Sequence, residues 1–254
     1  DKKFFTIVLD ELKDYLTKYF YNKLVSLLKT RKSSQLVEAL LSEMDGKINF
    51  QEILAFKDKD DQNIFHLAAL YCDSEEILQV LWIKIKNSLS DKSLKEFLLV
   101  KGFEGRNILY TPIQYDNHVV FCYLFNIFRE NLELSEFIND TDDVLGENLF
   151  QFLARFGSET MIEFTLRMLV CHDAALNDAI KFKSKFRRNI LHCAAESNTR
   201  INSIVMFLDY IDEADILVMM NERDKWKKIP LQCAVRCNNL PVFKYFFYSI
   251  NIKS

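Results

Sequence analysis

Apolar residues along this chain recur mostly at helical spacing. Near the N-terminus Phe5, Val8, Leu9, Leu12, Tyr15, Leu16, Tyr19 and Phe20 fall three or four apart, the period of helix faces. Ser33 or Ser34 is placed to cap a second helix that runs to Met44. Amphipathic segments then return at 75–86, 117–128, 159–170, 201–210 and 240–248, each behind a shorter apolar run. The pattern predicts many helices joined by short loops.

The shorter runs align with one another. They are Asn63-Ile-Phe-His-Leu-Ala-Ala69, Asn107-Ile-Leu-Tyr-Thr-Pro-Ile113, Asn148-Leu-Phe-Gln-Phe-Leu-Ala154, Asn189-Ile-Leu-His-Cys-Ala-Ala195 and Ile229-Pro-Leu-Gln-Cys-Ala-Val235. Self-similarity at a fixed period of this size marks a repeat architecture. The five segments resemble the T-P-L-H-x-A-A signature of ankyrin repeats. Asp58, Asp143 and Asp224, five residues before their anchors, match that family's Asp, and Gly105 and Gly146, two before theirs, match its Gly. The resemblance covers residues 50–254. The ankyrin period is about 33 residues, whereas these anchors are spaced by 44, 41, 41 and 40 (63, 107, 148, 189 and 229). The surplus falls at 94–99, 134–138, 174–180 and 213–219, where an acid is followed by apolar residues. It predicts an extra short helix in each repeat, and Glu52-Ile-Leu precedes the first repeat in the same way. Thr111, Pro112, Phe152 and Leu153 stand near positions the family keeps small, so packing there should depart from the family's. The expected fold is all-α: an ankyrin-like helical-repeat solenoid of five repeats over 47–254, behind an N-terminal helical cap over 1–46.

Composition agrees with helices. There are 22 Phe and 10 Tyr but only 5 Gly and 3 Pro, too few turn residues for sandwiches, barrels or glycine-rich nucleotide loops. The net charge of −3 argues against a general nucleic-acid binder. Six scattered cysteines predict reduced thiols without disulfides, in a reducing compartment. The apolar run 119–125 is too short for a bilayer span, and the N-terminus has acids where a signal peptide would be apolar. A cytoplasmic or nuclear location follows, inside a host cell if the chain is a secreted effector. The missing initial Met reads as an excised piece of something longer.

No nucleotide, zinc-protease or nucleophile-elbow motif is present, and the chain reads as no enzyme, with no cofactor, metal or small-molecule substrate. His66 and His192 share one repeat position with Tyr110, Gln151 and Gln232, which predicts buried polar groups tying one repeat to the next rather than ligands. Cys171-His172-Asp173 has triad residue types, but neighbours in sequence point apart. Cys193 and Cys233 read as core. Paired acids such as Asp142–Asp143 and Asp60–Asp61 read as solvated loop residues.

The resemblance implies that the loop before each helix pair projects as a finger whose tip touches partners. Those tips are Lys59-Asp60, Phe103-Glu104, Val144-Leu145, Lys185-Phe186 and Lys225-Trp226. Four carry large apolar side chains, which exposed loops usually avoid. Acids crowd the third finger (Asp140, Asp142, Asp143, Glu147). Bases crowd the fourth (Lys181, Lys183, Lys185, Arg187, Arg188) and the fifth (Arg223, Lys225, Lys227, Lys228). The expected activity is protein–protein recognition through Phe103, Val144, Leu145, Lys185, Phe186, Arg187, Lys225, Trp226 and Lys227, with the adjacent concave face. Two alternatives stand beside it: a targeting module of a larger effector, toxin or signalling protein, and nucleic-acid or anionic-lipid binding through the basic fingers. The apolar helix 240–248 makes a poor terminal cap and is a face for a second copy or another partner.

Overall fold

The computed structural model describes residues 2–170, 173–196 and 201–252. Cys171 and His172, and with them the triad-like trio, lie outside the described residues, as do the side chains of Phe5, Val8 and Leu9. Among the described residues there are seventeen α-helices and no strand, so the all-α class holds. The chain divides into two compact units, 1–103 and 104–254.

The first unit contains α1 (Lys2–Lys29), α2 (Ser34–Met44), α3 (Phe50–Ala55), α4 (Ile64–Tyr71), α5 (Glu75–Ser88) and α6 (Asp91–Leu98). Ser33 is the N-cap of α2, although its side chain makes no capping bond. Phe20, Leu24 and Leu28 of α1 are buried where it meets α2, α3 and α4. Phe65 of α4 lies between Trp82 of α5 and Phe97 of α6, at 5.9 and 6.1 Å.

The second unit contains four successive helix pairs, the first three each followed by a further helix. Its helices are α7 (Tyr110–Gln114), α8 (His118–Asn131), α9 (Leu134–Ile138), α10 (Leu149–Phe156), α11 (Glu159–Leu169), α12 (Asp173–Lys181), α13 (Ile190–Glu196), α14 (Ile201–Leu208), α15 (Glu213–Asn221), α16 (Pro230–Arg236) and α17 (Leu240–Ile252). The first helices form one row, α7 on α10 on α13 on α16, and the second helices another, α8 on α11 on α14 on α17. The surplus segments are helices α6, α9, α12 and α15, as their acid-then-apolar pattern predicted. Each helix is short, so packing of its apolar face rather than intrinsic propensity holds it.

The bulky repeat positions are accommodated by aromatic contact. Phe152 is fully buried, with Tyr110 edge-on at 4.9 Å and the Arg106 guanidinium over its face at 4.7 Å. Pro112 sits in the first turn of α7, where no intrahelical N–H is required. At the C-terminal end Val242 and Phe246 are buried while Phe247 and Tyr248 are exposed. Ala194 of α13 is buried between the α10 and α16 neighbours. Ala194→Leu should therefore overpack that row and lower stability by ~1–3 kcal/mol, which urea unfolding would measure.

Candidate recognition surface

The first, third, fourth and fifth fingers are hairpins closed on themselves. The residue at the base donates its backbone N–H across the loop: Asp58 N to Gln62 O, Asp142 N to Glu147 O, Ser184 N to Arg188 O and Asp224 N to Lys228 O, at 2.9 to 3.0 Å. The base side chain then holds the tip. Asp58 Oδ1 accepts from Asp60 N and Gln62 N, and Asp224 Oδ1 accepts from Trp226 N and Lys228 N at 2.9 and 2.8 Å. In the third finger this residue is Asp142, not Asp143: it accepts from Val144 N, Leu145 N and Glu147 N at 2.9, 2.6 and 2.8 Å. That loop is one residue longer, so a fixed count back from Asn148 lands on the wrong acid. Asp142 is buried and is no solvated loop residue.

Within the second unit the fingers are linked side by side. Asp143 N donates to Glu104 O, Lys185 N to Leu145 O and Lys225 N to Phe186 O, at 3.1, 3.2 and 2.8 Å. This close approach explains two glycines. Gly105 and Gly146 both have positive φ, and a Cβ on them would sit 2.1 Å from Asp143 and 2.5 Å from Lys185.

The anchor asparagines act in two directions. Their Oδ1 atoms cap their own helices, as in Asn148 Oδ1 accepting from Gln151 N and Asn189 Oδ1 from His192 N. Their Nδ2 groups donate onward about 30 residues, Asn148 to Ala179 O and Asn189 to Met219 O, both at 2.8 Å. The position shared by His66, Tyr110, Gln151, His192 and Gln232 behaves as its chemistry predicted at Tyr110, Gln151 and His192, whereas Gln232 is exposed and its Oε1 accepts from Ile229 N at the start of its own helix instead of reaching a further loop. Tyr110 Oη donates to Asp140 O at 2.9 Å, Gln151 Nε2 to Arg188 O at 2.7 Å, and His192 Nε2 lies 3.0 Å from Lys228 O.

His192, Asp224 and Cys233 bring three metal-ligating atoms within 4.8 Å. Those of His192 and Asp224 already have work. His192 donates from Nε2 to the Lys228 carbonyl and accepts at Nδ1 from Asn189 N, and Asp224 holds its finger, so the cluster reads as the joint between α13 and the fifth finger. Burial lowers the His192 pKa below its ordinary 6.5. The unfolded chain binds the proton first as pH falls, so this stability is present above about 6.5 and is lost below it. His192→Gln should keep the tie, as Gln151 does one repeat earlier, and abolish that pH dependence. His192→Leu should cost ~1–2 kcal/mol by stranding the Lys228 carbonyl. Denaturant midpoints at pH 5.5 and 7.5 separate the three proteins.

Beside the fingers runs an ionic ladder that reading charge along the chain does not reveal. Glu147, fully buried, is held by Arg155 through two guanidinium nitrogens. Arg155 also pairs with Glu196 at 2.9 Å, and Glu196 pairs with Arg188 and Arg236. At the third and fourth anchors, the residue before the anchor and the one seven after it carry opposite charges, with the order reversed between the two: Glu147 with Arg155, then Arg188 with Glu196. Burial alone would raise the Glu196 carboxyl, but hydrogen bonds from Arg188 and Arg155 outweigh it and hold it at about 2. Burial also pushes the Cys193 thiol, whose Sγ donates to Glu147, far above its usual range. The five described cysteines are free thiols.

The tips themselves are open. Phe103 is 46%, Val144 50% and Trp226 53% exposed, while Leu145 and Phe186 are half-buried. Phe186 and Trp226 touch: their centroids are 5.2 Å apart with planes 31° from parallel. Lys225 lies over Phe186 at 5.3 Å and Arg188 over Trp226 at 5.9 Å. Much of the surrounding charge is paired within the unit, Lys181 with Asp215 and Lys183 with Glu222. Lys185 reaches the Asp143 carbonyl. Arg187, Lys227 and Lys228 are exposed at the rim. No helix among the described residues is long and apolar enough to cross a membrane.

No protein-family model matches the sequence, and no curated protein is similar to it. Among solved structures, the fold is similar to a chain in the complex of the Bd0816 predatory endopeptidase from Bdellovibrio bacteriovorus with the immunity protein Bd3460. The two align with a TM-score of 0.58 over 89% of this chain and 96% of that one, at 14% identity. At that identity the likeness is one of fold.

Proposed function

We propose that this chain is an ankyrin-like repeat module that recognises another protein and acts by binding, not by catalysis. The four stacked units of 104–254 form its solenoid, the first repeat belongs to the same series by its sequence, and 1–46 serves as the helical cap. The observation that carries the proposal is the Phe186–Trp226 platform: two touching rings at consecutive finger tips, one more than half exposed, among cationic side chains. A flat ring buries much area for little lost entropy, and aromatic and Arg side chains are where binding energy concentrates. The partner surface is acidic with an apolar projection. A neighbour of similar fold that comes from a protein–protein complex is compatible with this use.

Affinity capture with the intact chain, compared with the Phe186→Ala and Trp226→Ala proteins, tests the reading. Trp226→Ala should weaken the captured partner by ~2 kcal/mol, roughly 30-fold, through faster dissociation. Lys185→Glu with Lys225→Glu should instead slow association and flatten its salt dependence. Undiminished binding by Trp226→Ala would move the recognition face elsewhere. The basic rim also suits single-stranded nucleic acid, for which stacking on Trp226 would come with a steep log–log salt slope.

A further inference from the structure

The helix α1 has two apolar faces. Thr17, Phe20, Tyr21, Leu24 and Leu28 are buried in the first unit. On the opposite side Leu12, Tyr15, Leu16 and Tyr19 are exposed, Tyr15 at 70%. At 100° per residue the two sets centre about 145° apart, so the second set is a separate stripe and not the margin of the first. Isolated apolar side chains on a surface need no explanation, but a contiguous stripe does.

We infer that this stripe is a self-association surface on which α1 of a second copy docks antiparallel. The spacing 12, 15, 16, 19 is a heptad seam with Leu12 and Tyr19 at a, Tyr15 at d and Leu16 at e. Glu11 and Lys18 then both occupy g, and both are exposed. In an antiparallel pair g faces g, so centring the two helices on Leu12 and Tyr15 sets Lys18 of each copy against Glu11 of the other, twice by symmetry. Leu12 of one copy packs on Tyr15 of the other in the two central layers. The parallel arrangement is disfavoured by the same residues, because g then faces e of the next heptad and Lys18 meets Lys23 of the other copy. The charge pattern thus selects both the occupant, a second copy, and its direction. A closed two-fold contact between identical patches is the commonest way for chains to pair. Two turns of helix on each side make a small interface, below about 1,200 Å² in total, and such contacts are weak and reversible.

Light scattering with sedimentation velocity on the intact chain, from about 2 to 200 μM, reads the association directly. The mass should rise with concentration from 30.0 kDa towards twice that value. Leu12→Glu with Tyr15→Glu should hold the protein at the lower mass throughout, with an unchanged circular dichroism spectrum because both side chains are solvent-exposed. Lys18→Glu alone sets acids against Glu11 and should weaken association at least tenfold. Adding Glu11→Lys to it restores opposite charges and should recover the association. A chain that stays at 30.0 kDa across the range overturns the inference. So does association that survives the double glutamate variant, which would point to the apolar side of α17, or a charge swap that fails to recover what Lys18→Glu lost.

Discussion

Replacing Glu147 with alanine should destabilise the chain by ~3–5 kcal/mol, a large share of a domain's total stability. Glu147 is fully buried and takes both arms of the Arg155 guanidinium. Its removal leaves a cation with little water and half its partners, and an unpaired buried charge costs more than the pair ever contributed. Glu147→Gln keeps an acceptor for Arg155 and should lose less. Glu147→Ala combined with Arg155→Leu should recover most of the loss, since the stranded charge is then gone and Glu196 still has Arg188 and Arg236. Urea unfolding at constant m value measures each step. A single-mutant loss below ~1 kcal/mol would mean that water reaches the ladder and replaces the carboxylate. Acid should unfold the same region. The folded Glu196 keeps its charge down to about 2, below its ordinary 4.5, so the unfolded chain takes up the proton first. Its contribution is complete above about 4.5 and disappears as pH falls through 2. After allowance for solvent screening at its open edge, that contribution is ~2 kcal/mol.

Much of the fold was legible because its signals are local. Apolar residues at helical spacing placed every second helix to within a few residues of its observed bounds. The acid-then-apolar segments located α9, α12 and α15, since a short helix must announce its buried face in few residues. The shared His, Tyr and Gln position was readable as a tie because all three side chains form hydrogen bonds and none is interchangeable as a ligand or base. What escaped were relations between repeats. Counting back from Asn148 selects Asp143 in place of Asp142, because the count assumes equal loops and one inserted residue breaks that assumption. The Glu147–Arg155–Glu196 ladder is invisible along the chain, where Glu147 and Arg155 are eight residues apart and Arg155 and Glu196 forty-one. It appears once residues one before and seven after the third and fourth anchors are compared with each other. Phe186 and Trp226 are forty residues apart in sequence, and nothing along the chain shows that their rings meet at 5.2 Å. In α1, apolarity marked both faces alike, and only burial separates Phe20 from Tyr15.

Asp224→Ala should abolish partner binding more completely than Trp226→Ala, although Asp224 is buried and faces no partner. Its Oδ1 accepts from the backbone of Trp226 and of Lys228, and Lys227 between them is held at a φ of 62°, which a non-glycine residue adopts only when its surroundings impose it. Hydrogen bonds to a charged acceptor contribute ~1.5–3 kcal/mol each. Losing two, with partial replacement by water, should lower stability by ~3 kcal/mol. The larger consequence is geometric. Without the carboxylate the hairpin loses its closure, Lys225 N loses its alignment with Phe186 O, and Trp226 no longer rests on Phe186. The partner must then order the whole finger on binding, which costs more than one missing ring. Asp224→Asn keeps the acceptor oxygen and should retain most of both properties. Comparing the three variants by binding kinetics and by unfolding separates the two effects. If Asp224→Ala binds as well as the parent while Trp226→Ala does not, the ring works without its finger, and the platform is held by Phe186 alone.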